Sequence, residues 1–292
     1  MSKLFTGAGV ALITPFTKND EVDFNALEAV VSNQVKGGMD YLVALGTTAE
    51  AHVLCEEEKR DITKLVIEKS AGLPVIVGIS GNDTRKVLKE IDKFDYSGVS
   101  GILAVTPYYN RPSQEGMYLH FTAVAKACPV PIVLYNVPSR TGVNIDAETV
   151  NKLAWENKNI AAIKDAAGNL AQITKMKKNA PEHFSIISGD DAMALPIISL
   201  GGQGVISVIA NALPQKLSSL VNLALKGKFA ESLEFHNEMS DLIGLLFKEG
   251  SPGGIKALLN CMGIAENQLR LPLYQISEKT YSEIKEAYLK LK

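Results

Sequence analysis

The sequence predicts an α/β protein, a closed (β/α)8 TIM barrel with a C-terminal helical appendage. Three observations carry that prediction. Eight short runs of apolar and β-branched residues recur along the 292 residues, segments of helical periodicity separate them, and no convincing ninth run follows. Successive runs begin roughly 20 to 33 residues apart, about the length of one βα unit, and strands alternating with helices imply a parallel sheet. An open doubly wound sheet could hold eight strands but more often stops at about five or six, so a count of eight favours closure.

In chain order, the first strand is expected within Gly9 to Phe16, where Pro15 interrupts the run. The segment Met1 to Phe16 carries one lysine and is broken by Gly7, Gly9 and Pro15, which suits a strand better than a signal peptide. Helical periodicity spans Phe24 to Lys36, Glu56 to Ser70, Thr84 to Phe94, Ser113 to Ala127 and Ala147 to Trp155. The remaining strand candidates are Tyr41 to Thr48, Pro74 to Ser80, Gly101 to Tyr109, Pro131 to Val137, Ile160 to Lys164, Phe184 to Ser188 and Gly204 to Ala210. Ile160 to Ile163 is a continuous apolar run with the turn formers Gly168 and Asn169 downstream, the pattern of a strand buried on both faces. The catalytic barrel, expected over 1–225, would be complete near Leu225. Lys228 to Phe247, Gly253 to Met262 and Ser277 to Leu291 read as helices, separated by Gly250-Ser251-Pro252-Gly253-Gly254 and by the stretch around Arg270-Leu271-Pro272. Residues 226–292 are therefore expected to form a helical region packed on the barrel, in one folded body without a linker.

Composition narrows the function classes. Hydrophobic residues make up 46% and charged ones 21%, the balance of a soluble globular protein, and no apolar run is long enough to span a bilayer. A net charge of -2 with interspersed signs argues against nucleic acid as a partner, and a cytoplasmic protein is the expectation. Cys55, Cys128 and Cys261 form no CxxC pair and read as reduced thiols. His52, His120, His183 and His236 are scattered, and Asp190-Asp191 reads as a pair opening a helix, so no metal is expected. Gly201-Gly202-Gln203-Gly204 precedes a strand, whereas a dinucleotide fingerprint follows one, and Gly250 to Gly254 lacks the lysine and hydroxyl of a P-loop. No cofactor is expected.

In a barrel the chemistry gathers at the C-terminal ends of the strands. Those ends supply Thr14-Pro15, Gly46-Thr47-Thr48-Ala49-Glu50, Thr106 to Arg111, Tyr135 to Arg140, Lys164-Asp165, Ser188-Gly189-Asp190 and Ser207. Lys164 closes an apolar strand. Partial desolvation there would lower its pKa and make the neutral, nucleophilic amine accessible, whereas alone it could equally be a surface lysine opening a loop. An amine that attacks a ketone passes protons to and from the departing hydroxyl, so it needs a proton shuttle beside it, and Tyr135 is the candidate. Thr47 and Thr48 offer hydroxyls and N–H groups for a proton relay or a carboxylate, and Arg140 could clamp a carboxylate through two hydrogen bonds. Each also has a plain structural reading: a strand-end tyrosine bonded to backbone, β-branched strand residues, a surface ion pair.

The motifs Gly46-Thr47-Thr48-Ala49-Glu50, Thr106-Pro107-Tyr108-Tyr109-Asn110-Arg111-Pro112, Tyr135 to Gly142, Ile163-Lys164-Asp165 and Ser188-Gly189-Asp190-Asp191 together resemble the dihydrodipicolinate synthase family. The resemblance runs from Phe5 through Leu271-Pro272 and places the chain in the wider Schiff-base aldolase superfamily of N-acetylneuraminate lyase. It implies a lyase that condenses pyruvate with L-aspartate 4-semialdehyde to give 4-hydroxy-tetrahydrodipicolinate, on the way to diaminopimelate and lysine. Lys164 would form the imine, and Tyr135 would donate and accept protons with Thr47 and Tyr109 as its relay. Thr48, Ile206 through its backbone, and Gly189 match substrate-holding positions, and Arg140 matches the receiver of the semialdehyde carboxylate. The resemblance also implies a homotetramer, a dimer of dimers in which Tyr109 reaches into the neighbouring subunit's site.

Three departures from the family pattern stand out. Ala49-Glu50-Ala51 replaces the usual Gly-Glu-Ser, and Lys164-Asp165-Ala166 replaces Lys-Glu-Ala; neither removes a reacting group. The positions of the lysine effector site correspond to Ala51, Glu56, Lys59 and Lys86, and a cation at Lys86 would repel the effector's ammonium group, so weak or absent feedback inhibition is expected. Two other readings fit the same residues: an N-acetylneuraminate lyase-like aldolase that uses a different aldehyde, and a non-catalytic barrel that only binds keto acids. Arg140 and Tyr109 favour the synthase over the first, and the Lys164, Tyr135 and Thr47 set argues against the second, because binding alone needs no shuttle.

Overall fold

The computed structural model describes residues 5–291, so Met1 to Leu4 and Lys292, within the expected boundaries, lie outside the described residues. Eight parallel strands close in sequence order: β1 (Gly7–Ala11), β2 (Tyr41–Ala44), β3 (Val75–Gly78), β4 (Gly101–Val105), β5 (Ile132–Asn136), β6 (Ile160–Asp165), β7 (Ser185–Ser188) and β8 (Gly204–Ser207). Closure is made by β8 pairing with β1, Ile206 opposite Gly9. The helices are α1 (Phe24–Lys36), α2 (Glu56–Lys69), α3 (Thr84–Lys93), α4 (Gln114–Ala127), α5 (Pro138–Thr141), α6 (Ala147–Glu156), α7 (Leu170–Asn179), α8 (Ala194–Ser199), α9 (Pro214–Leu225), α10 (Phe229–Phe247), α11 (Gly253–Cys261) and α12 (Glu278–Lys290). Their starts carry side-chain caps where the sequence supplies them: the Asp23 carboxylate accepts the Ala26 N–H at 2.9 Å, Ser113 that of Gly116 at 3.1 Å and Asn169 that of Gln172 at 3.0 Å.

Each of the eight expected runs overlaps a strand, but several strands stop short of the predicted C-terminal ends, while β1 begins two residues early at Gly7 and β6 extends to Asp165. Leu12, Ile13, Leu45, Val137 and Ile209 stay buried, yet they lie in turns over the barrel rim. An apolar run reports burial, and a buried rim turn is as apolar as a strand. Helix α5 was not anticipated, because its four residues hold too few turns for a period to show.

Side-chain alternation sorts each strand between two environments. Val133, Tyr135, Ala162, Ile187 and Ile206 fill the barrel interior, whereas Ile132, Leu134 and Ile163 pack outward against helices. Lys164 follows Ala162 by two residues and so continues the inward face at the strand's end. A further buried cluster joins Val10 and Leu12 to Leu217 and Leu220 of α9 and to Leu242, Ile243, Ile255 and Leu258 of the C-terminal helices.

Candidate active site

Strand pairing places Tyr135 directly opposite Lys164, at the C-terminal ends of β5 and β6. Lys164 Nζ stands 4.4 Å from the centroid of the Tyr135 ring. With 4% of its surface exposed, Lys164 is not a solvent lysine. Burial pulls its pKa from 10.5 down to about 8; the Asp191 carboxylate pushes back upward, and the Arg140 guanidinium lowers it further. That displacement biases the group toward the neutral amine by roughly 3 kcal/mol. Burial raises the Tyr135 phenol, opposed by the Arg140 charge and by a side-chain hydrogen bond with Thr47. A phenol held neutral is a proton donor, as a shuttle requires.

The neighbouring positions on the two strands lock this pair from outside the barrel. Asn136 Nδ2 donates to Asp165 Oδ2 and to Asn144 Oδ1, each at 2.8 Å, and the Ala167 N–H donates to Asp165 Oδ1 at 3.1 Å. The register that sets Tyr135 against Lys164 is the register that sets Asn136 against Asp165.

A cavity of about 370 Å³ opens above Lys164, lined among others by Thr47, Thr48, Tyr135, Arg140, Lys164 and Gly189. Arg140, on α5, donates from Nη2 to the Ser251 carbonyl at 3.2 Å while its side chain remains exposed at the mouth. Gly189 is small because of Lys164: a Cβ there would stand 2.9 Å from Ala166 Cβ and 3.0 Å from Lys164 Cγ. A second cavity of about 500 Å³ lies on the other side of Thr47, Tyr135 and Arg140, reaching Ala51, Lys59, Glu90 and Tyr108.

Two of the expected residues stand apart from the Lys164 cavity. Ile206 is fully buried in β8, among the side chains of the barrel interior. Tyr109 lies 84% exposed on the loop after β4, with φ 73°, a conformation that side-chain-bearing residues rarely adopt. The pair Asp190-Asp191 does not cap a helix as expected, since α8 begins only at Ala194 without a side-chain cap. Asp191 Oδ2 instead accepts the N–H groups of Val208 at 3.1 Å and Ile209 at 2.9 Å, which ties the β7 and β8 rims together.

Sequence reasoning missed both Asp191 as the charge that acts on Lys164 and the wall built by α10. His236, Ser240, Ile243, Gly244 and Phe247 of that helix face the cavity. Their spacing at i, i+4, i+7, i+8 and i+11 marks one helix face, the signal from which the wall could have been found. Among the described residues no cluster of three or more metal-ligating side chains occurs, and no helix is long and apolar enough to cross a membrane.

A buried amine of lowered pKa, a neutral phenol beside it and a cationic mouth form a site suited to imine chemistry on a keto acid. The family model described as the dihydrodipicolinate synthetase family matches residues 4–291. The chain belongs to this family. It is 49% identical over 287 residues to 4-hydroxy-tetrahydrodipicolinate synthase of Phocaeicola vulgatus, covering 98% of this chain and 97% of the relative. Over 286 residues it is 48% identical to the same-named enzyme of Parabacteroides distasonis, with 98% and 96% covered. The crystal structure of dihydrodipicolinate synthase from Thermotoga maritima superposes with a TM-score of 0.96 at 38% identity, covering 99% of each chain. As a dihydrodipicolinate synthetase family member the chain is a lyase with the family's barrel, as the motifs around Thr47, Tyr135 and Lys164 anticipated.

Proposed function

We propose that this protein condenses pyruvate with L-aspartate 4-semialdehyde to give 4-hydroxy-tetrahydrodipicolinate, feeding diaminopimelate and lysine synthesis. The observation that carries this reading is the buried Lys164 amine set against the Tyr135 ring, with Arg140 at the cavity mouth. The neutral amine adds to the pyruvate ketone carbon, and the carbinolamine loses its hydroxyl as water once Tyr135 supplies a proton. The imine draws electrons from the methyl group, whose proton leaves to give an enamine. The enamine carbon attacks the semialdehyde's aldehyde carbon, and the new alkoxide takes a proton. The semialdehyde's own amine then adds to the imine carbon, closes the ring and expels the Lys164 amine.

Thr47 hydrogen-bonds Tyr135 and is assigned to its proton relay together with Tyr109. Thr48 is assigned to the pyruvate carboxylate, with Ile206 and Gly189 completing the pocket, and Arg140 to the semialdehyde carboxylate. The assembly proposed is a homotetramer of two dimers in which Tyr109, which lines neither cavity of its own chain, completes the partner's relay. The compartment proposed is the cytoplasm.

The test is the initial rate of pyruvate consumption with L-aspartate 4-semialdehyde, with N-acetylmannosamine as the control acceptor. Consumption that requires the semialdehyde is expected; turnover only with the sugar would replace this reading with a neuraminate-lyase activity. Borohydride with pyruvate should trap an adduct on the wild-type protein and none on Lys164→Ala. Tyr135→Phe should fold normally and lose roughly a hundredfold or more in kcat, the usual worth of a positioned acid–base group.

A further inference from the structure

The turn that carries Thr47 and Thr48 is clamped from behind by buried charges that take no part in the reaction. Glu50 follows the 3₁₀ turn Thr47–Ala49, is fully buried, and has the left-handed conformation φ 55°, ψ 35°. Leu45, on the other side of the turn, has φ 54°. Side-chain-bearing residues persist in this region only where their surroundings over-determine them.

For Glu50 those surroundings come from the far end of the chain. Its carboxylate pairs with Nζ of Lys256 on α11, which is also fully buried, and accepts the backbone N–H of Arg270 at 3.1 Å. Lys256 further donates to the Gln268 carbonyl at 2.8 Å and stands 4.1 Å from the Phe16 ring centroid. Neither charge can leave without stranding the other away from water, so the pair resists rotation of the Glu50 side chain and of the backbone it hangs from. The turn is gripped once more by the Thr14 hydroxyl, which donates to the Ala49 carbonyl at 2.8 Å.

We infer that Glu50 and Lys256 are positioning residues for the reaction. Their ion pair fixes the left-handed turn at Glu50, and the turn in turn sets Thr48 against the pyruvate carboxylate and Thr47 against Tyr135. The inference rests on the proposed function for the roles of the two threonines. Neither Glu50 nor Lys256 lines the cavity, so any kinetic effect of replacing them travels through the turn.

The test is Glu50→Gln, which keeps the shape and an acceptor for the Arg270 N–H but removes the charge, alongside Lys256→Met. Both should raise the KM for pyruvate about tenfold, the scale of a small misplacement of a binding group, and leave the KM for the semialdehyde unchanged. Borohydride trapping on Lys164 should need correspondingly more pyruvate. A pair that served only the fold would lower the thermal midpoint and leave both KM values alone, and that result would overturn the inference. If a single variant loses its circular dichroism, the double Glu50→Gln/Lys256→Met, which strands no charge, carries the same readouts. A wild type inactive on pyruvate and the semialdehyde would instead defeat the functional reading, while the pyruvate dependence of trapping would still decide the clamp.

Discussion

The reactivity of Lys164 is set by groups that pull in different directions. Burial lowers its pKa most, Asp191 raises it, and Arg140 lowers it again. Only the neutral amine attacks, so kcat/KM for pyruvate should rise with pH and level off above about 8. Asp191→Asn keeps an oxygen acceptor for the Val208 and Ile209 N–H groups but removes the charge that favours the ammonium form. Its rising limb should therefore shift to lower pH, and a pH profile that superposes on the wild type would refute the coupling. Lys164 was legible as a nucleophile because it ends an apolar run. Asp191 was not, because paired acids after a turn read as a helix start, and only the folded chain brings the β8 rim onto that carboxylate.

Between elements, long-range polar contacts join the segment between α11 and α12 to the start of α2 and to the loop before α1. Arg270 donates to Glu58 from Nη1 at 2.8 Å and from Nη2 at 2.6 Å, and to the Asp20 carbonyl from Nη2 at 2.7 Å. The hydrogen bonds from Arg270 hold the Glu58 carboxyl at a pKa of about 2. A carboxyl depressed from 4.5 contributes stability that is complete above its unfolded pKa and is lost as pH falls through about 2. Arg270→Ala should cost about 1 to 2 kcal/mol at pH 7, reduced by the partial exposure of the pair, and visibly less at pH 3. Equal losses at the two pH values in denaturant titrations would show that packing, not the ion pair, carries the contact. The backbone N–H that Glu50 uses survives this substitution, so pyruvate KM should not follow the stability. Ala51 and Lys59 line the second cavity, Lys59 paired with Glu56 at 2.8 Å, whereas Lys86 does not line it. Initial rates should be unchanged by low-millimolar L-lysine, and strong inhibition would contradict the expectation drawn from Ala51, Glu56, Lys59 and Lys86.

For the whole molecule, the most telling surface residue is Tyr109, an aromatic ring 84% exposed on a left-handed loop residue. If it completes the partner's relay, specific activity should fall on dilution in step with dissociation measured by sedimentation, while pyruvate trapping on Lys164 persists. Full activity in a monomer would remove Tyr109 from the mechanism. We propose that the 1–225 barrel and the 226–292 helices unfold together, since Val10, Leu217 and Leu258 share one buried cluster and α10 supplies a wall of the cavity. The sequence by itself determined the eight-stranded rhythm, the strand-end placement of Lys164 and Tyr135, and the helices expected over Phe24 to Lys36 and Lys228 to Phe247, because periodicity and strand-end position are local properties. It could not bring the Asp191 charge to bear on Lys164, His236 to the cavity wall, or Lys256 against Glu50. Those contacts join residues distant in the chain, and no local pattern encodes which buried charge will meet which; only closure of the barrel and the packing of the last helices bring them together.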